Sequence, residues 1–182
     1  ARSSSVSSKT LAAASGPNFG SSQVLFVRPG NFIAALMRFD LTGIPSGSVV
    51  TRAELSLFVQ SRTNTQPISG RFFEMRRGWV ENQATYDLAS AGQNWQQPLA
   101  AGPADRNPDA FALAPFPASG RVNIDLTDLA RAWQQNPAAN HGILVDGVSS
   151  GSVQYNVTSR EWPEPDQLPY LLVEYQAPTP TP

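Results

Sequence analysis

Residues 35–59 read Ala35-Leu36-Met37-Arg38-Phe39-Asp40-Leu41-Thr42-Gly43-Ile44-Pro45-Ser46-Gly47-Ser48-Val49-Val50-Thr51-Arg52-Ala53-Glu54-Leu55-Ser56-Leu57-Phe58-Val59. Ala35, Met37, Phe39 and Leu41 alternate with Leu36, Arg38 and Asp40. Beyond the turn, Ala53, Leu55, Leu57 and Val59 alternate with Arg52, Glu54, Ser56 and Phe58. A period of two places every second side chain on one face, the mark of a strand resting on a core. Pro45-Ser46-Gly47 supplies the tight connection, because proline presets φ and glycine accepts a positive one. The stretch is strand, turn, strand.

Working outward, the same grammar recurs. Gln23 to Arg28 is a strand closed by Pro29-Gly30-Asn31, and Leu11 to Ala14 is a candidate first strand after the turn-free, Ser-rich residues 1–10. Arg71 to Arg76 alternates Phe73 and Met75 with Phe72 and Glu74. Val153 to Thr158 and Pro169 to Tyr175 add two more. One helix is expected at about 126–135, where Leu126, Leu129, Ala130 and Trp133 share a face, Asp125 or Thr127 caps the start and Pro137 ends it. Ser90 to Ala118 is a long connection rich in Ala, Pro, Gln and Asn, with one short strand near Phe111 to Leu113; loops of this length are common binding surfaces. Nine or ten strands suffice for two stacked sheets.

Composition bounds the rest. A chain of 182 residues suits one all-β domain, and 41% hydrophobic residues supply a core. A net charge of -1 argues against a phosphate-tracking surface, so nucleic acid is not an expected partner. The absence of cysteine excludes disulfides, zinc-thiolate sites and cysteine nucleophiles. No apolar run reaches membrane-spanning length, so membrane insertion is not expected. Ala1 is a residue type that follows signal cleavage sites, and the expected location is secreted, extracellular or at the cell surface.

Several ordered motifs resemble the DNRLRE, or disaggregatase-related, domains of the family 96 carbohydrate-binding modules. They are Asn18-Phe19-Gly20-Ser21-Ser22, Met37 to Pro45, Thr51 to Leu57, Trp79-Val80-Glu81 through Thr85-Tyr86 with the trailing Trp95, Asp125-Leu126-Thr127 through Trp133, Asn140-His141-Gly142, Ser159-Arg160-Glu161, and Pro169 to Tyr175. Tyr86 stands where the family pattern has Trp, and His141 where it has Tyr. The resemblance implies an extracellular jelly-roll-type β-sandwich of two antiparallel sheets over residues 11–176, flanked by an N-terminal arm (1–10) and a Pro-Thr tail or linker (177–182).

Catalysis finds little support in the residues. His141 is the lone histidine, with no partners for a triad or a metal site suggested around it. Asp40, Asp125 and Glu161 sit inside structural motifs, where capping or pairing with Arg38, Arg52 or Arg160 accounts for them, so no carboxylate pair for glycoside hydrolysis is assigned. The expected protein is not an enzyme. Asp105-Arg106-Asn107-Pro108-Asp109 has the spacing that converges oxygens on calcium, so Asp105, Asn107 and Asp109 are the candidate ligands for a structural ion; no other cofactor is expected. Ala110 and Phe116 at its sixth and twelfth positions rule out an EF-hand. Tyr86, Trp95 and Trp162 lie in or near loops and are the candidate sugar-stacking rings. Trp79 and Trp133 belong to patterned core faces. Asn156-Val157-Thr158 spells an N-glycosylation sequon.

Two functions follow. In the first, the chain is a non-catalytic structural or adhesive subunit whose partners are copies of itself, self-assembling into an extracellular filament or surface layer when the arm (Ser5, Val6, Ser7, Leu11) adds to an open sheet edge of a neighbour. In the second, it binds a polysaccharide through loop aromatics.

Overall fold

The computed structural model of the chain describes residues 20–30 and 33–178 in full, and residues 2–3 and 6–12 by backbone placement. The strands are β1 (Arg2–Ser3), β2 (Val6–Ala12), β3 (Val24–Val27), β4 (Ile33–Phe39), β5 (Val49–Arg62), β6 (Ser69–Glu74), β7 (Leu88–Ser90), β8 (Gln93–Asn94), β9 (Ala112–Pro115), β10 (Gly120–Asp125), β11 (Ile143–Val148), β12 (Tyr155–Thr158) and β13 (Tyr170–Gln176). The helix α1 spans Thr127–Gln135. The fold is the expected all-β sandwich of two antiparallel sheets with one short helix. One sheet runs β1-β13-β5-β12-β3, with β10 also on β5; the other runs β2-β4-β11-β6-β9.

The opening stretch forms β4 and β5, one in each sheet. Gly47, at φ 78°, makes the connection between them, and the Ser48 amide donates to the Pro45 carbonyl across 3.1 Å. β5 is long enough to serve three partners. Residues 54–59 pair with β10 on one edge; on the other, residues 49–56 pair with β13 and residues 59–62 with β12. Its inward residues Ala53, Leu55, Leu57 and Val59 meet Ala35, Met37 and Phe39 of β4 in the core between the sheets, as the alternation requires.

The helix closes one end of this core with Leu126, Ala130 and Trp133. Its N-cap position is Leu126, which has no side-chain cap, in place of the expected Asp125 or Thr127; Asp125, one residue earlier, braces the start, its Oδ1 accepting from the Thr127 amide at 2.8 Å and the Thr127 hydroxyl at 2.6 Å. Those two bonds hold the Asp125 carboxyl below the usual carboxylate range.

The other sheet is buried on both faces. Ala34, Leu36, Phe73, Met75 and Leu144 point away from the sandwich, into a second core completed by Trp79, Ala84, Ala89, Trp95, Leu99 and Ala100. The long connection is therefore a third layer laid over the sheet rather than a free loop. Polar ties secure it. Asp146 of β11 takes a bidentate pair from Arg71 of β6, at 2.7 and 2.8 Å, and Arg106 of the connection reaches the same carboxylate at 3.4 Å. The Arg106 guanidinium lies 3.9 Å from the centre of the Phe73 ring.

The N-terminal segment differs from the expectation of an arm (1–10) donated to a neighbour's sheet and followed by a strand at 11–14. Val6–Ala12 pairs with β4 of its own chain, from Val6 opposite Phe39 to Ala12 opposite Ile33. The physical reason is the open edge of β4, whose amides and carbonyls need a partner. Val6, Ser7 and Leu11 thus pair within their own chain, while Ser5, the Asn18-Phe19 motif and residues 179–182 lie outside the described residues.

Gly142 pins the segment before β11 against β4. At φ +83° a Cβ built on it would sit 2.0 Å from the Met37 carbonyl oxygen. Gly142→Ala should cost about 3 kcal/mol or more, combining left-handed strain with a backbone clash. A urea unfolding curve compared with wild type checks it; an unchanged midpoint would remove the close approach as a constraint.

Candidate functional site

A groove of ≈ 920 Å³ opens at the end of the sandwich, between the β4–β5 connection and the C-terminal end of α1. Arg38, Asp40, Ser48, Trp133, Gln134 and Asn140 are among its polar lining residues. The sequence makes this place in two steps. β4 must turn back at Asp40, whose Oδ1 accepts from the Thr42 amide at 2.9 Å. The helix must stop before Pro137, where Asn136 donates to the Ala132 carbonyl and a 3-10 turn, Pro137–Ala139, begins. Gln134 straps the two sides together, its Nε2 donating to the Ser48 carbonyl at 2.7 Å.

The electrostatics of the groove are unusual in one respect. Among the described residues, Trp133 Nε1, Asn140 Oδ1 and Ser48 Oγ are buried and find no hydrogen-bond partner. The remaining buried side-chain atom of this kind among the described residues is Trp162 Nε1. Buried polar atoms are nearly always paired, so three around one groove is a concentration that calls for a cause. They comprise a donor, an acceptor and a hydroxyl that is both. The Asn140 orientation is set by its amide, which donates to the Phe39 carbonyl at 2.8 Å and leaves Oδ1 over.

Arg38 stands at the groove rim. Its side chain makes no hydrogen bond or ion pair among the described residues, and its guanidinium lies 5.5 Å from the centre of the Trp79 ring. The Trp79 indole donates to the His141 carbonyl at 2.9 Å, next to Asn140. Burial, followed by the nearby Arg38 charge, lowers the His141 pKa, with Glu74 opposing.

The sequence candidates fall elsewhere. Trp95 is 5% exposed in the second core, its Nε1 donating to the Thr85 carbonyl at 3.0 Å, and Tyr86 packs against the same core. Both lie in the connection that covers the sheet, so Trp95 has no face to offer a sugar. Trp162 is half-buried beside Ser159 and lines neither this groove nor its neighbour described below. The three rings are not brought together into one platform.

Asp105 is 0% exposed. Its Oδ1 and Oδ2 accept from the Gln96 and Gln97 amides at 3.0 and 3.2 Å, and Arg77 approaches Oδ1 to 3.6 Å. It is an internal tether of the covering layer, whereas Asp109 is exposed. Asn107 Oδ1 takes the Asp109 amide at 3.3 Å. Among the described residues no group of three His, Cys, Asp or Glu is placed to hold a metal ion. The sequon is also locked into the sheet: Asn156 Nδ2 donates to the Ser61 hydroxyl and Thr158 is fully buried in β12.

Trp133 escaped sequence reading as a groove residue because its spacing assigned it to the core, where its ring does lie. The signal was its indole N–H, which a core position must still satisfy.

Two stacked antiparallel sheets with a polar groove at one end define a β-sandwich with one candidate binding groove. The chain belongs to carbohydrate-binding module family 96, whose family model matches residues 6–175. No curated protein matches it. Among the described residues no helix is long and apolar enough to cross a membrane.

Two measurements test this description. Asp105→Ala unpairs two backbone amides and should cost about 2–4 kcal/mol, equally in calcium and in chelator; a loss seen only in calcium would reinstate a metal site. By NMR, the His141 imidazole should titrate below the ordinary 6.5. As pH falls through 6.5 the unfolded chain takes up the proton first, so stability declines in that window, and His141→Gln should flatten that part of the curve. A midpoint above 6.5 would contradict the burial of the ring.

Proposed function

We propose that the protein is a secreted, non-catalytic module that binds polysaccharide in the groove between the β4–β5 connection and α1. The family membership supports the ligand class, and one observation carries the location: the unpartnered donor, acceptor and hydroxyl of Trp133, Asn140 and Ser48 gathered around that groove. A sugar hydroxyl donates and accepts at once, so a hydroxyl-rich chain answers such a mixed set, whereas a simple anion answers only its donors. The three atoms lie below the surface, and the Gln134–Ser48 strap is the bond whose loosening admits a ligand to them. Arg38, whose guanidinium is unpaired among the described residues, adds a fork of donors at the rim, suited to two adjacent sugar oxygens.

The assembly reading has no comparable support. Its proposed donor segment pairs with β4 of the same chain.

A polysaccharide array followed by calorimetry on the strongest hit tests the groove. Arg38→Ala should weaken binding about tenfold or more, since hydrogen bonds from a charged donor are the strong ones. Trp162→Ala should leave it unchanged. The reverse pattern would move the site to the Ser159–Trp162 turn, and silence across the array would remove the carbohydrate reading.

A further inference from the structure

We infer that the binding site extends past Arg38 into a second cavity, so that the module grips an internal stretch of an extended polysaccharide rather than a chain end or a single sugar. This rests on the carbohydrate reading above and specifies the form of its ligand.

The second cavity, of ≈ 670 Å³, is walled by Ser21, Trp79, Glu81, Asn82 and Arg160, and Arg38 lines it as well as the first groove. Arg38 belongs to the wall of both. Arg38 leans on the Trp79 ring, Trp79 donates to the His141 carbonyl, and the adjacent Asn140 faces the first groove. The close approach of Gly142 to Met37 fixes this wall to β4, so the distance between the cavities is set by the sheet and not by a loop. A site held on strands keeps its geometry better than one held on loops.

Each cavity alone falls within the roughly 300–1,000 Å³ that encloses a drug-sized ligand. Two of that size on either side of one guanidinium, unpaired among the described residues, match a ligand that continues, as a polymer does. The second cavity also has the chemistry for hydroxyls. Arg160 is paired with Glu81 at 3.3 Å and Glu161 at 2.8 Å, so its charge is offset, and Asn82 stands exposed at the wall. With its ions paired, this half favours neutral hydroxyls, which leaves Arg38 as the charged anchor between the halves.

The test uses a size ladder, disaccharide to octasaccharide, made by partial hydrolysis of the polysaccharide that gives the strongest array signal. Wild-type affinity should rise along the ladder beyond the trisaccharide. Asn82→Ala, and separately Ser21→Ala, both at exposed positions, should lower the ratio of octasaccharide to disaccharide affinity roughly three- to tenfold, the worth of one or two hydrogen bonds. Arg38→Ala should weaken long and short fragments together. An affinity that levels off at the trisaccharide, or an unchanged ratio in both wall variants, would overturn the extended site while leaving the first groove standing. An array with no signal would overturn both.

Discussion

The sheet built on β4, β11 and β6 is apolar on both faces, and most of the architecture answers that one constraint. A sheet with one wet face needs only a partner sheet. This one has Met37 and Phe39 looking inward while Leu36, Phe73 and Leu144 look outward, and both sets must leave water. The second sheet covers the first set. The connection between β6 and β9 covers the other, which is why it holds two tryptophans and a buried carboxylate despite its irregular path. Burial of so large an apolar area is the dominant stabilising term, and buried ties such as Asp146 with Arg71 and Arg106 fix the layer's register instead of adding much net stability.

The same constraint decides where a ligand has room. The outer face is occupied by the covering layer, and the space between the sheets is filled. Around this sheet, the room left is at the end of the sandwich, where β4 runs out from under its cover. Arg38 sits at that margin on the outward face of β4, one pleat beyond the buried Leu36. A guanidinium there cannot be enclosed without a counter-ion, so it rests on the Trp79 ring at the border of the layer. The rim of the groove is thus a by-product of where the third layer ends.

Much of the fold was legible in the sequence because it is written in local periods. The alternation through Met37 and Phe39, and again through Leu55 and Leu57, assigned both strands and their inward faces. The i, i+3, i+4, i+7 spacing from Leu126 to Trp133 assigned the helix. The covering layer was not legible, because it has no repeating secondary structure: Ala84, Ala89, Leu99 and Ala100 are buried at irregular intervals, and Trp95 among Gln and Asn reads like an exposed ring. The Asp105 motif shows the same limit. Its spacing suits a cation, but backbone amides of Gln96 and Gln97, distant in no periodic sense, claim the carboxylate first. For the N-terminal segment, a Ser-rich composition outweighed the demand of an unpaired β4 edge, which only the topology reveals.

The groove was invisible for a different reason. Its residues come from β4, from the connection that follows, from the end of α1 and from the approach to β11, and each looks structural when taken alone. Asn140 has a backbone partner, Trp133 a core position, Ser48 a turn. Each nevertheless retains one polar atom beyond what its structural task consumes. Leaving such an atom buried and unpaired costs about 1–3 kcal/mol. At Ser48 an Ala would remove the unpaired atom, whereas at Trp133 the indole also fills the core and cannot be shortened without a cavity. That three such atoms occur together, around one open groove and beside an arginine with no carboxylate partner among the described residues, is the pattern expected where a site gives up some folding energy to recover it on contact with a hydroxyl-bearing ligand.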